Sequence, residues 1–189
     1  MKRLYPVGML ILASCLISLP VHAQGMDKQP AVKPAPSPSQ AVLEAWNEIG
    51  RKLIAMSEDF PENKYEFKPN PAQRSFAEQL LHAASDNYYF TNLTLGQKPP
   101  TEDPKRDQLK TKADVVTFVK KSFADGAAAI QKRGVSGMAE LVTDPSSHQQ
   151  VRVVDLAYGI VEHSGEHYGQ LVVYYRVAGL VPPESHPKK

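Results

Sequence analysis

Apolar residues recur at spacings of three and four along four separate stretches of the chain. In the first, Val42, Trp46, Ile49, Leu53 and Met56 form a single stripe, the pattern of a helix with one buried face. Ser39 is its expected N-cap. A second helix is predicted from Ser75, because Ser75 with Glu78 three residues on makes a capping box. It runs through QLLHAASDNYYFTNLTL and ends near Gly96. Thr111 and Asp114 open a third helix in the same way. Its stripe is Val116, Val119, Phe123, Ala127 and Ile130, and Lys132, Arg133 and Gly134 close it. The fourth runs from about Arg152 to Ala178 and stops at Gly179 and the following VPP.

Between these stretches the pattern lapses. Residues 60–73 and 97–110 are proline-punctuated loops, and residues 135–150 are a mixed connection with room for short strands or a helical turn. No internal repeat is visible. Four amphipathic helices with two long connections predict an all-α four-helix bundle.

The N-terminus has a different pattern. Lys2 and Arg3 precede the apolar run LYPVGMLILASCLISLP, and VHA at residues 21–23 has the small-x-small form of a cleavage site. The run is broken by Pro6, Gly8 and Pro20 and falls short of the ~20 apolar residues of a membrane span. The expected plan is a signal peptide over 1–23, a Pro-rich tether over 24–39, the bundle over 40–183 and a tail over 184–189. The protein is then secreted or periplasmic, with no membrane span. LASC at residues 12–15 also resembles a lipoprotein cleavage box, so a lipidated Cys15 is the alternative. Cys15 is the only cysteine, and cleavage after Ala23 leaves the mature chain without a thiol. The formal charge of +2 comes from 22 basic and 20 acidic residues. Losing Lys2 and Arg3 cancels it, so the basic footprint of a nucleic-acid binder is lacking.

The fourth stripe contains Val153, Leu156, Ile160, His163, His167, Leu171, Tyr174 and Ala178, and so points both histidines toward the core. Imidazoles at i and i+4 share one helix face and can chelate one ion. Two separately hydrogen-bonded histidines are the other reading. Glu166 completes an H-x-x-E-H pattern, but a protease would need a further acidic ligand. Glu184 is the one carboxylate side chain after His167, and the helix wheel turns Glu166 away. A third histidine ligand has to be His82, His148 or His186. His148 falls in a loop and His186 in the tail. His82 lies mid-helix on a mixed face with Ser75, Gln79, Asp86 and Tyr89.

LLHAASDNYYF together with VEHSGEHYGQLVVYYRVAGLVPP resembles the DinB-like superfamily of four-helix metalloenzymes. The matching positions are His82, His163 and His167, then Gly169-Gln170, Tyr175-Arg176, Gly179 and Pro182-Pro183, and the likeness spans about residues 40–183. It implies that His82, His163 and His167 hold one divalent metal, zinc first, with nickel or iron as alternatives. It also implies a metal-dependent enzyme, a transferase or hydrolase, acting on a small-molecule substrate. Characterised relatives include thiol-dependent transferases and isomerases. The leader and tether depart from typical members, and an exported chain would not meet cytosolic thiol cosubstrates. Asp86 and Glu166 are candidate catalytic or orienting carboxylates, with solvated surface residues as the favoured reading of both. The alternative functions are a non-catalytic metal- or ligand-binding module, or a tethered interaction domain. A homodimer is an assembly this fold class allows.

The leader generates the first prediction. Expressed with its native N-terminus, the protein is expected outside the cytoplasm, and N-terminal sequencing should begin at Gln24. A soluble cytosolic chain that retains Met1 would contradict this, and a lipid-modified Cys15 would establish the alternative.

Overall fold

The computed structural model of the chain describes residues 34–187. The expected signal peptide and residues 24–33 of the tether lie outside them. Helix α1 spans Pro38–Asp59, α2 Phe76–Thr94, α3 Lys112–Ala139 and α4 Val153–Val177. A short antiparallel hairpin, β1 (Leu141–Thr143) and β2 (Gln150–Arg152), links α3 to α4 with Leu141 opposite Arg152. The all-α bundle is therefore the architecture, and among the described residues strand is confined to this connection. Among the described residues, no helix is long and apolar enough to cross a membrane.

The helix ends follow their local chemistry. Both predicted capping boxes form: the Ser75 amide donates to Glu78 Oε2 at 2.6 Å and the Glu78 amide to Ser75 Oγ at 3.3 Å. Thr111 and Asp114 exchange the same pair of bonds. The cap of α1 is Ser37 and not Ser39. Pro38 explains the shift, because its fixed φ and missing N–H suit the first helical position. Gly134 interrupts α3 at φ 59° and ψ −168°, a backbone conformation only glycine adopts cheaply, and one more helical turn then leads into β1. Gly179, at φ 76°, stands just past the end of α4.

Helices α1 and α2 each pack against both α3 and α4. The two sides of the bundle are held differently. Between α1 and α3, fully buried Trp46 donates from Nε1 to Phe123 O at 2.9 Å, and its ring lies against Gly126. This contact places α3 half a step off its predicted stripe. Val115, Val119, Ser122, Gly126 and Ile130 are buried, while Val116 and Ala127 are half-buried. At the other end, Phe60 stacks on Phe76 with centroids 3.7 Å apart, and Tyr175 meets Phe60 edge-on at 4.9 Å. The Tyr175 hydroxyl donates to Met56 O at 2.9 Å. This aromatic floor ties the end of α1 and the start of α2 to the end of α4, and so sets the antiparallel register of α2 against α4.

The floor determines which residues meet further along. Phe76 meets Tyr174 and Tyr175, Gln79 meets His167 and Gln170, and Asp86 meets His163. The buried face of α4 is Val153, Ala157, Ser164, His167, Leu171, Tyr174 and Tyr175. His163 stands at its edge, half-buried, where the sequence stripe expected it inside.

The Trp46–Gly126 contact generates a stability prediction. A Cβ at Gly126 would overlap the anchored indole, so Gly126→Ala is expected to destabilise by about 1–3 kcal/mol. Gly159, in the middle of α4 with open space around it, should gain about 0.5–1 kcal/mol on substitution by alanine. Urea denaturation of both variants measures the pair. Equal effects at the two sites would refute the packing account.

Candidate metal centre

His82 sits in the middle of α2, and His163 and His167 lie one turn apart in the middle of α4. The register just described brings them face to face. One ring nitrogen from each histidine falls within a set whose members lie within 4.8 Å of one another. His163 Nε2 and His167 Nε2 are 2.9 Å apart. Tetrahedral ligands at 2.0–2.1 Å from an ion stand about 3.4 Å apart, so small side-chain adjustments bring all three onto one point. His148 and His186 are exposed and belong to the hairpin loop and the C-terminal segment. His186 bonds locally to Val181 O at 3.1 Å.

Each ring has a partner that orients it. His82 Nδ1 lies 2.9 Å from Asp103 Oδ2 and 3.1 Å from Oδ1. A carboxylate only accepts, so Nδ1 carries the proton and Nε2 keeps its lone pair. His167 Nδ1 lies 2.5 Å from the side-chain amide of Gln79, which in turn bonds to Gln170 Oε1. An amide can present oxygen or nitrogen. With Gln79 and Gln170 turned over together, His167 Nδ1 donates and Nε2 is free for an ion. His163 Nε2 lies 2.5 Å from Asp86 Oδ2, so that nitrogen holds a proton which an ion taking its place would displace.

The electrostatics differ from ring to ring. The hydrogen bond to Asp86 raises the His163 pKa above its usual 6.5, against the opposing effect of burial. Burial lowers His167 to about 4, helped by the neighbouring His163 and His82. Burial alone would raise the Asp86 carboxyl, but its hydrogen bond to His163 and the nearby imidazoles outweigh that and hold it below the usual carboxylate range. His167 is thus neutral near neutral pH, while His163 holds its proton more tightly than a free imidazole.

The two candidate carboxylates part company. Asp86 is not a freely solvated surface group: it sits 2.5 Å from His163 Nε2 and 3.7 Å from His82 Nε2. Its position at i+4 from His82, on a helix face that is polar but inward, is the signal that marked it. Glu166 is 66% exposed, with its carboxylate 3.7 Å from His163 Nδ1, on the ring's outer side as the helix wheel indicated. Glu184, the other acidic residue weighed for an H-x-x-E-H enzyme, pairs with Arg51 at 2.7 Å. Two contributors went unread. Gln79 was visible only as a polar residue on the mixed face of α2. Asp103 lies in a loop whose sequence has no periodic pattern to interpret.

A four-helix bundle with an inward histidine cluster shared by its second and fourth helices is the frame that the DinB resemblance implied. The profile described as the DinB superfamily matches residues 45–171, more than half of the chain, and the protein belongs to this superfamily. The fold is similar to that of a DinB-like protein from Bacillus subtilis, with a TM-score of 0.60 at 17% identity over 74% of this chain and 92% of that one. It is also similar to a DinB-like protein from Bacillus cereus, with a TM-score of 0.63 at 14% identity over 75% and 93% of the two chains. No curated protein matches the chain.

Proposed function

We propose that the protein is an exported metal-dependent enzyme in which His82, His163 and His167 hold one divalent ion, zinc first. The observation that carries this reading is the combination of a three-histidine cluster with access from outside. His167 is buried, but the His82 and His163 side chains are 20% and 32% exposed. Three protein ligands with an approachable fourth side are the arrangement of catalytic zinc, whereas structural zinc is enclosed by four. Imidazole suits zinc, nickel and iron alike, so zinc leads on the availability and commonness of such sites.

When bound, the ion supplies Lewis acidity that polarises a substrate or acidifies a coordinated water or thiol. The chain's own groups do the rest. Asp103 and Gln79 orient His82 and His167. On ligation His163 Nε2 would give up its proton to solvent, and the Asp86 carboxylate, held ionised, would stand beside the open side as a proton acceptor. A groove of about 540 Å³, bounded in part by Ser85, Tyr88, Phe118 and Asp103, shares Asp103 with the centre and is of a size for a small molecule. The reaction class that the DinB resemblance supports is transfer of a thiol or another small group, with metal-assisted hydrolysis as its neighbour.

Metal-stripped protein titrated with zinc against a chromophoric chelator should bind one ion per chain. His163→Ala and His167→Ala should each abolish binding while far-ultraviolet circular dichroism keeps its helical signal. No uptake by the wild type would overturn the reading. A loaded protein without turnover across thiols and electrophiles would point instead to a binding module.

The pH dependence follows from His163. Ligation needs the neutral imidazole, and the folded pKa of His163 is raised above 6.5. Zinc affinity is therefore expected to fall on acidification from a pH already above 6.5. Asp86→Asn removes the charge that holds the His163 proton and should move this fall to lower pH. A midpoint unchanged or raised in that variant would contradict the assignment of Asp86.

A further inference from the structure

The loop between α2 and α3, residues 97–110, sends one side chain to the histidine cluster. We propose that Asp103 is a positioning residue of the centre, which fixes the His82 ring in the Nδ1–H tautomer so that Nε2 is the ligand nitrogen. The proposal rests on the metal reading for its consequence, but the tautomer itself belongs to the chain.

The geometry is specific. Both carboxylate oxygens of Asp103 reach the same ring nitrogen, at 2.9 and 3.1 Å, and Nε2 of that ring lies on the Asp86 side of the cluster, 3.7 Å from Asp86 Oδ2. Of the two acidic residues near His82, one therefore meets Nδ1 and the other meets Nε2 at longer range. Without Asp103, either ring nitrogen could carry the proton and the ring could turn over, which would spread the ligand lone pair over two directions.

Asp103 is not the only attachment of its loop. Arg106 ties its far end to Glu66, with Nε 2.7 Å from Glu66 Oε1, and closes that end on itself with bonds to Lys110 O at 2.9 Å and to Leu109 O. Arg74 approaches Asp103 Oδ2 only to 3.9 Å. The far end of the loop is thus tied through Arg106 and the contact with the cluster is made by Asp103, so the two ties can be cut one at a time.

The test compares Asp103→Ala, Asp103→Asn and Arg106→Met by two readouts. The first is the imidazole nitrogen spectrum by NMR on protein without metal, above neutral pH. The second is zinc affinity by chelator competition. Wild-type His82 should show a single Nδ1–H tautomer, and Asp103→Ala should show a mixture of tautomers. Zinc affinity in Asp103→Ala should fall about 10–100-fold, the usual loss when a ligand histidine loses its partner. Asp103→Asn, whose amide oxygen still accepts, should keep the tautomer and lose less. Arg106→Met, which loosens the far end of the loop but keeps the Asp103 carboxylate, should cost clearly less than Asp103→Ala in both readouts. A persistent single Nδ1–H tautomer in Asp103→Ala would overturn the proposal, as would a zinc loss in Arg106→Met equal to that in Asp103→Ala. If the wild type takes no zinc, the functional reading fails, and the NMR arm still decides the role of Asp103.

Discussion

A buried imidazole must have a partner, and this requirement organises the region between α2 and α4. His167 is 4% exposed, and leaving one of its nitrogens unsatisfied would cost about 1–3 kcal/mol. Gln79 meets that need and is itself buried, so it requires Gln170. On the other side, His163 and Asp86 satisfy each other, and His82 turns to Asp103. Each polar residue drawn into the bundle brings in the next, until the chain of partners reaches solvent at Gln170, Asp86 and Asp103. A network of this kind is stable only when every member is paired, which makes the arrangement of the cluster specific.

That specificity depends on parts of the molecule far from the histidines. The aromatic floor of Phe60, Phe76 and Tyr175 sets how far α4 slides along α2. A shift of one residue would put His82 opposite a different face and break the pairing of Gln79 with His167. The indole of Trp46, seated against Gly126, fixes α3 against α1 and so completes the frame around α2. These packed elements supply rigidity, while the histidines sit where the bundle opens, with one ring enclosed and two reachable.

Much of this could be read from residues alone. Two capping boxes and two stop signals placed the helices, because capping chemistry is local. The four-residue spacing of His163 and His167 marked a shared face for the same reason. The orientation of α4 was read less well: Ala157 and Ser164 lie on its buried face, but small or polar side chains leave no mark on a hydrophobic stripe, so His163 was placed too deep. In α3 the buried Ser122 and Gly126 are hidden similarly, since Gly126 admits Trp46 and Ser122 pairs with Asn87. The sequence suggests a solvated Asp86 because helical carboxylates usually are, and only the register of two helices shows what it faces. Asp103 reaches the site through tertiary folding of a loop, and nothing local announces that.

The central claim is that three imidazoles from two helices share one ion. X-ray absorption at the zinc edge on the loaded wild-type protein tests it most directly. The account predicts a first shell with three imidazole nitrogens at ~2.0–2.1 Å, identified by the multiple scattering of their rings, with the remaining position filled by oxygen. A shell with one imidazole or none, or one built from carboxylate and water alone, would contradict it.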